Sequence, residues 1–158
     1  MTDRMKIALA SDHAGFDLKR EILPLLQDMG YETVDFGCGP EEKANYVLYG
    51  EKAARAVQLG ACSLGILFCG TGLGMAFTAN KFKGLRATPC WNEYTARMSR
   101  AHNNANCLCL GGRVLSPDQA REIVRVWLET EFEGGRHQER LETLSRLEET
   151  LCPDVQDR

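Results

Sequence analysis

Apolar residues in this chain fall into short continuous runs separated by amphipathic stretches. The runs Lys6-Ile7-Ala8-Leu9-Ala10, Tyr31 to Phe36, Gly65-Ile66-Leu67-Phe68-Cys69, Leu85 to Cys90 and Asn106-Cys107-Leu108-Cys109-Leu110 are bounded by turn residues. Runs of that length read as strands, and continuous ones as strands buried on both faces. Between them, Phe16, Ile22, Leu23, Leu25, Leu26 and Met29 recur at helical spacing, with Pro24 as a local flaw and Gly30 as the stop. Further helices are predicted over Tyr46–Leu59, about Gly74–Phe82, Asn92–Arg100 and Ser116–Thr130. Asn92 and Ser116 serve as N-caps, with Pro117 in the first turn of the last helix.

Repeated βα alternation with short loops predicts an α/β chain: a three-layer α/β/α, Rossmann-like fold with a five-stranded, mostly parallel sheet. Ligands of such sheets bind at the carboxyl ends of the strands, near a switch in strand order. The polar clusters at those ends are Ser11-Asp12-His13, Cys69-Gly70-Thr71-Gly72, Cys90-Trp91-Asn92 and Gly111-Gly112-Arg113. His102-Asn103-Asn104 lies before the fifth strand, within reach of a neighbouring site instead. The last part differs. A charged helix over 135–151 carries Leu141, Leu144, Leu147 and Leu151 in one narrow stripe, which suits packing on another surface such as a second subunit. Residues 1–151 are expected to form one domain, with 152–158 as a loose tail.

Composition narrows the function. A net charge of −3 and the lack of a basic stripe argue against a nucleic-acid partner. No apolar stretch approaches the roughly 18 residues of a membrane span. The polar N-terminus lacks the apolar core of a signal peptide, which points to the cytoplasm. Seven cysteines, an odd number, argue against a disulfide framework, and no pair has C-x-x-C spacing. Cys107 and Cys109, two apart on a strand, read as small core side chains rather than metal ligands.

The strongest chemical signal is Cys69 followed by Gly70-Thr71-Gly72-Leu73-Gly74. A strand, a glycine loop and a helix start aim several backbone N–H groups at one point, suited to an anion or a developing oxyanion. A thiol beside such a helix start is easily activated, as nucleophile or base. The loop is neither the dinucleotide fingerprint, which needs a third glycine where Met75 or Phe77 stands, nor a Walker loop. Asp12 and His13 are placed to bind hydroxyls or move protons, or alternatively to cap the next helix. His102 offers a titratable group among amides. Arg136 and Arg140, four apart, share a helix face and suit a phosphate, or form part of a solvated charged face.

Five motifs in order, Ser11-Asp12-His13-Ala14-Gly15-Phe16, Cys69-Gly70-Thr71-Gly72-x-Gly74-Met75, Ala79-Asn80-Lys81, His102-Asn103-Asn104-Ala105-Asn106 and Glu133-Gly134-Gly135-Arg136-His137-Gln138-x-Arg140, resemble the type B ribose-5-phosphate isomerases, over about residues 5 to 147. The wider family takes in allose- and galactose-6-phosphate isomerases. The resemblance implies an aldose–ketose isomerase working through an enediol without cofactor or metal. It assigns Cys69 as the base and the backbone of Gly70, Thr71, Gly72, Leu73 and Gly74 as the cradle for the enediolate oxygens. Thr71 would shuttle hydroxyl protons. His102 would assist ring opening, with Asp12 and His13 near the ring oxygen and hydroxyls. Asn103 would contact the sugar, and Arg113, Arg136 and Arg140, with His13, the phosphate. It further implies a homodimer or tetramer with sites shared between chains. One branch of the family has a glutamate base at the position of Met75; this chain has Cys69 and Met75 and sorts with the cysteine branch. Two stretches depart from the pattern: Asn45-Tyr46-Val47-Leu48, where Asp-Tyr-Pro-Asp is common, and Trp91-Asn92, where small or polar residues are common. They bear on which sugar is used: ribose 5-phosphate is expected, with four- or six-carbon sugar phosphates as the alternative. Two rival functions are a non-catalytic subunit of such an enzyme and a nucleotide-binding module.

Overall fold

The computed structural model describes residues 4–40 and 43–151. The expected tail, 152–158, lies outside the described residues. The chain runs β1 (Lys6–Ser11), α1 (Phe16–Asp28), β2 (Glu32–Asp35), α2 (Tyr46–Gln58), β3 (Leu64–Cys69), α3 (Leu73–Ala79), β4 (Ala87–Pro89), α4 (Glu93–Ala101), β5 (Cys107–Gly111), α5 (Pro117–Glu129) and α6 (Arg136–Leu151). The strands form one five-stranded sheet in the order β2-β1-β3-β5-β4. All four pairings are parallel, so the sheet is wholly rather than mostly parallel.

Alternation along the central strands splits the core in two. Leu64, Ile66 and Phe68 of β3 pack with Leu18, Ile22 and Leu26 of α1, Ala96 of α4, and Ile123, Val124 and Trp127 of α5. Leu67 and Cys69 face the other way, onto Ala53, Ala54 and Val57 of α2 and Met75, Ala76 and Ala79 of α3. Each fully buried Ile, Leu or Phe contributes about 1.5–3 kcal/mol of transfer free energy. Cys107 and Cys109 lie on the Cys69 face, as two core thiols. Burial pushes the Cys107 thiol up to about 12.

The caps sit where the sequence places them. Asn92 Oδ1 accepts from Thr95 N–H at 2.8 Å. Ser116 and Gln119 form a reciprocal capping box with Pro117 in the first turn. Asn45, one of the departures from the family pattern, caps α2 by accepting from Val47 N–H at 3.0 Å. Two elements are shorter than expected. The predicted fourth strand over Leu85–Cys90 shrinks to Ala87–Pro89, because Arg86 N–H is taken by the side chain of Asn106 at 2.7 Å. The third helix starts at Leu73 and ends at Ala79, seven residues in all, rather than running from Gly74 to Phe82.

Candidate active site

β1 and β3 are neighbours, yet the chain leaves β1 toward β2 and leaves β3 toward the opposite side of the sheet. A crevice opens at such a switch, outside the carboxyl ends of the strands. Three loops converge there. Asp12 N–H donates to Phe68 C=O at 3.1 Å, Gly112 N–H to Cys69 C=O at 2.8 Å, and Arg113 N–H to Gly70 C=O at 3.0 Å. Glycine is required by close approach. A Cβ on Gly15 would lie 2.4 Å from the Phe68 carbonyl carbon, and one on Gly112 would lie 2.3 Å from the Ala14 oxygen.

Cys69 closes β3 and is 4% exposed. Its Sγ accepts the N–H of Gly72 at 3.1 Å. Gly72 has φ 86°, in the left-handed region that favours glycine, and it caps α3. Thr71 is exposed, and its Oγ1 accepts from Leu73 N–H at 3.3 Å. Asp12 is buried, and its Oδ1 accepts from the N–H groups of Ala14 and Gly15 at 2.9 and 3.0 Å. Asp12 therefore ties the turn ahead of α1, at the rim of the same crevice, and does not cap the helix: its N-cap is Gly15, with no side-chain cap bond. His13 is exposed, and its Nδ1 accepts from Ala44 N–H at 3.3 Å. Arg113 lies over Gly70, with Nη1 3.4 Å from where a Cβ on that glycine would stand.

Two aromatic residues flank the loop, and composition or spacing assigned neither a role. Tyr46 covers Gly74: a Cβ there would meet its Cε2 at 2.8 Å. Trp91 donates its Nε1–H to the Thr71 carbonyl at 3.1 Å. The sequence signals for Trp91 are its position after β4, at the same edge as Cys69, and its departure from the small or polar residues common there in the family.

His102, Asn103, Arg136 and Arg140 are not part of this cluster. α4 runs back along the sheet, and His102 caps its far end, before β5. At that edge Gly65 N–H, next to the start of β3, donates to Asn106 C=O at 2.9 Å. β5 then covers about 13 Å to the Cys69 edge at about 3.3 Å per residue. α6 lies at the His102 edge as well, with Glu148 accepting from Gly84 N–H at 3.0 Å. Here the His102 and His137 rings stack, centroids 4.0 Å apart and planes 11° apart. Glu133 Oε2 lies 3.6 Å from Nε2 of each. His137 is buried with no hydrogen-bond partner on Nε2. Burial above all, then the neighbouring His102, Arg136 and Arg140, hold its imidazole below the ordinary histidine range, against the pull of Glu133. Glu133 and His137 are members of the motif around Arg136 to which the sequence reading gave no separate role; their i, i+4 spacing was the available signal.

The ligand atoms of His102, Glu133 and His137 lie within 4.8 Å of one another, the donor set of a candidate metal site. In this arrangement the in-plane lone pairs of the stacked rings lie in two separate, nearly parallel planes, so one ion does not meet both nitrogens in line. Elsewhere, a cavity of about 730 Å³ between α1 and α5 reaches Gly112 but is not lined by Cys69, and its Arg121 is paired with Glu21 and Asp118.

A switch-point crevice with a thiol on a glycine loop defines a class of small-molecule enzyme in which backbone donors serve developing charge. The model of the ribose/galactose isomerase family matches residues 7–144, and the chain belongs to that family. It is 44% identical over 144 residues to ribose-5-phosphate isomerase B of Escherichia coli, covering 91% of this chain and 97% of that one. The ribose-5-phosphate isomerase B structure from Clostridium thermocellum is 50% identical with a TM-score of 0.91, over 93% of this chain and 99% of that one. That from Mycoplasma genitalium, with bound ribulose-5-phosphate, is 38% identical with a TM-score of 0.88, over 92% and 97%. The sequence expectation of a sugar-phosphate isomerase on a Rossmann-like fold is thus borne out in family and fold. Among the described residues no helix is long and apolar enough to cross a membrane.

Proposed function

We propose that this chain interconverts ribose 5-phosphate and ribulose 5-phosphate through an enediol, with Cys69 as the base. The observation that carries the reading is the Gly72 N–H on Cys69 Sγ at 3.1 Å, inside a loop of main-chain donors at the switch point. The thiolate takes the C2 proton of the open-chain aldose. The C–H electron pair forms the C1–C2 double bond, and the C1 carbonyl oxygen gains the charge. Backbone N–H groups of the Gly70 to Gly74 loop other than that of Gly72, which serves the sulfur, hold that oxygen. The proton returns to C1 as the C2 hydroxyl becomes the ketone, with Thr71 moving hydroxyl protons. A general base typically supplies about 10²–10⁴ in rate.

Ring opening by His102, sugar contact by Asn103, and the phosphate clamp of Arg136 and Arg140 belong to the same proposal. Arg113 and His13 supply the near wall, and Asp12 orients hydroxyls. Because the two groups of residues sit at opposite edges of one sheet, the working site is shared between two copies, at least a homodimer. Two patches support this. Leu144, Leu147 and Leu151 of α6 are 50, 52 and 69% exposed, and Leu48, Leu73 and Phe77 beside the glycine loop are 57, 39 and 66% exposed. A charged sugar-phosphate substrate suits a cytoplasmic enzyme.

The test is complementation. Cys69→Ala and His102→Asn chains are each expected to be nearly inactive while Cys69→Ala still binds a phosphorylated inhibitor. Mixed and reassembled at equal amounts, they regain about a quarter of parent activity, since half the pairs are hybrids with one intact site. Full activity of Cys69→Ala alone would overturn the base, and no recovery on mixing would overturn the shared site. Turnover of ribose 5-phosphate against four- and six-carbon aldose phosphates decides the sugar.

A further inference from the structure

The hydrogen bonds around Cys69 continue one step further out. Thr71 C=O and Gly72 N–H belong to one trans peptide, so its oxygen and its hydrogen point in opposite directions. The hydrogen donates to Cys69 Sγ at 3.1 Å, and the oxygen accepts from Trp91 Nε1–H at 3.1 Å. We propose that Trp91 is a positioning residue for Cys69, holding the Thr71–Gly72 peptide with its N–H aimed at the sulfur and strengthening that donor.

Two physical effects act together. Hydrogen bonds in series through one amide polarise each other, so an acceptor bond on the oxygen improves the N–H as a donor. The second effect concerns which way the peptide faces. Gly72, at φ 86° and ψ −16°, has the backbone of the third residue of a type II turn. The central peptide of such a turn is the one that inverts in passing to type I, and glycine makes both forms accessible. Inversion here would turn the Thr71 oxygen toward the sulfur and remove the one N–H that, among the described residues, it accepts. On one side β5 packs against this stretch: a Cβ on Gly111 would lie 2.7 Å from the Thr71 carbonyl carbon. Trp91 secures the oxygen. The indole remains 43% exposed, so core packing is not its main task.

This inference rests on the reading of Cys69 as the base, and the test separates the two. Trp91→Phe keeps a ring and removes the donor. Replacement of Trp91 by benzothienylalanine keeps the bicyclic shape and puts sulfur in place of the N–H, in case the phenyl ring leaves a gap. Alkylation of Cys69 by iodoacetamide is followed across pH by peptide mass. The ultraviolet thiolate absorbance is measured as a difference from Cys69→Ser in each background, which needs no reagent access. Both donorless variants are expected to lose about threefold in Cys69 thiolate signal and alkylation rate at neutral pH, with both regained at alkaline pH. kcat falls by a similar factor while KM moves less than twofold. A thiolate signal equal to the parent's in either folded donorless variant overturns the proposal. Loss in the phenylalanine variant alone also overturns it, because bulk and not the N–H would then be responsible. If instead Cys69→Ser turns over normally, the assignment of the base fails, while the thiolate measurement still reports on Trp91.

Discussion

At the carboxyl edge of the sheet, Cys69, Gly70 and Gly72 are held through main-chain N–H groups at 2.8–3.1 Å, and Gly15, Gly111 and Gly112 stand where side chains would strike backbone. At the opposite edge, His102, Arg136 and Arg140 project as side chains from helix ends, with a stacked histidine pair and one carboxylate between them. The first edge is built of main-chain groups at a strand end and in the loops bonded to it, so little rotamer freedom remains to be lost. The second is made of long side chains, whose ordering costs about 1–2 kcal/mol each and is offset when a bound anion pairs with them. Carbon-acid chemistry needs fixed donors at a developing charge, whereas holding a phosphate needs reach and charge. The division of labour between the edges follows that difference.

The sharpest way to break the contrast is at the carboxyl edge. Gly112→Ala places a methyl group 2.3 Å from the Ala14 oxygen, with backbone that has no flexible end to move away. Overpacking of this kind costs about 1–3 kcal/mol and here is expected at the upper end, with loss of activity beyond the loss of folded protein. Denaturant unfolding and activity per folded chain check it. A neutral effect would mean that the loops are not locked as described.

At the other edge a smaller and different effect is expected. Arg136→Ala or Arg140→Ala removes a charged donor, worth about 1.5–3 kcal/mol, and so weakens a phosphorylated inhibitor by about 10- to 100-fold. Calorimetry reads the affinity. The Gly72 N–H on Cys69 Sγ is made within one chain, so the Cys69 alkylation rate in the free enzyme is expected to change less than that affinity. If affinity is unchanged, the second edge has no part in phosphate binding.

The smallest effect is a pH dependence. The folded state holds His137 below its ordinary value of 6.5, so unfolding takes up a proton. Its contribution to stability is complete above the unfolded value and is lost as pH falls through the lower folded value. Melting temperature is therefore expected to drop on acidification below about 6.5, and His137→Gln to flatten that drop. An equal drop in both proteins would show that the imidazole is not the sensor.

Much of the fold was legible because its signals are local. Continuous apolar runs mark β1, β3 and β5, and Asn92, Ser116 and Pro117 mark the starts of α4 and α5. β4 was overdrawn because Asn106, distant in sequence, takes Arg86 N–H away from the ladder. Of the candidate site, Cys69 and its glycine loop could be read directly, since strand end and loop are consecutive. The glycines Gly15 and Gly112 could not, because the backbone each one touches comes from another βα unit.

By itself the sequence determined the alternation of elements, the thiol on its glycine loop, and the family to which both belong; each depends on residues close together along the chain. Tertiary structure alone decided that Trp91 bonds the peptide beside Cys69, that Glu133 and His137 gather at His102, and that the two groups of residues lie on opposite edges. Those outcomes depend on strand order and on where the return helices end, and neither is written in the spacing of any one segment.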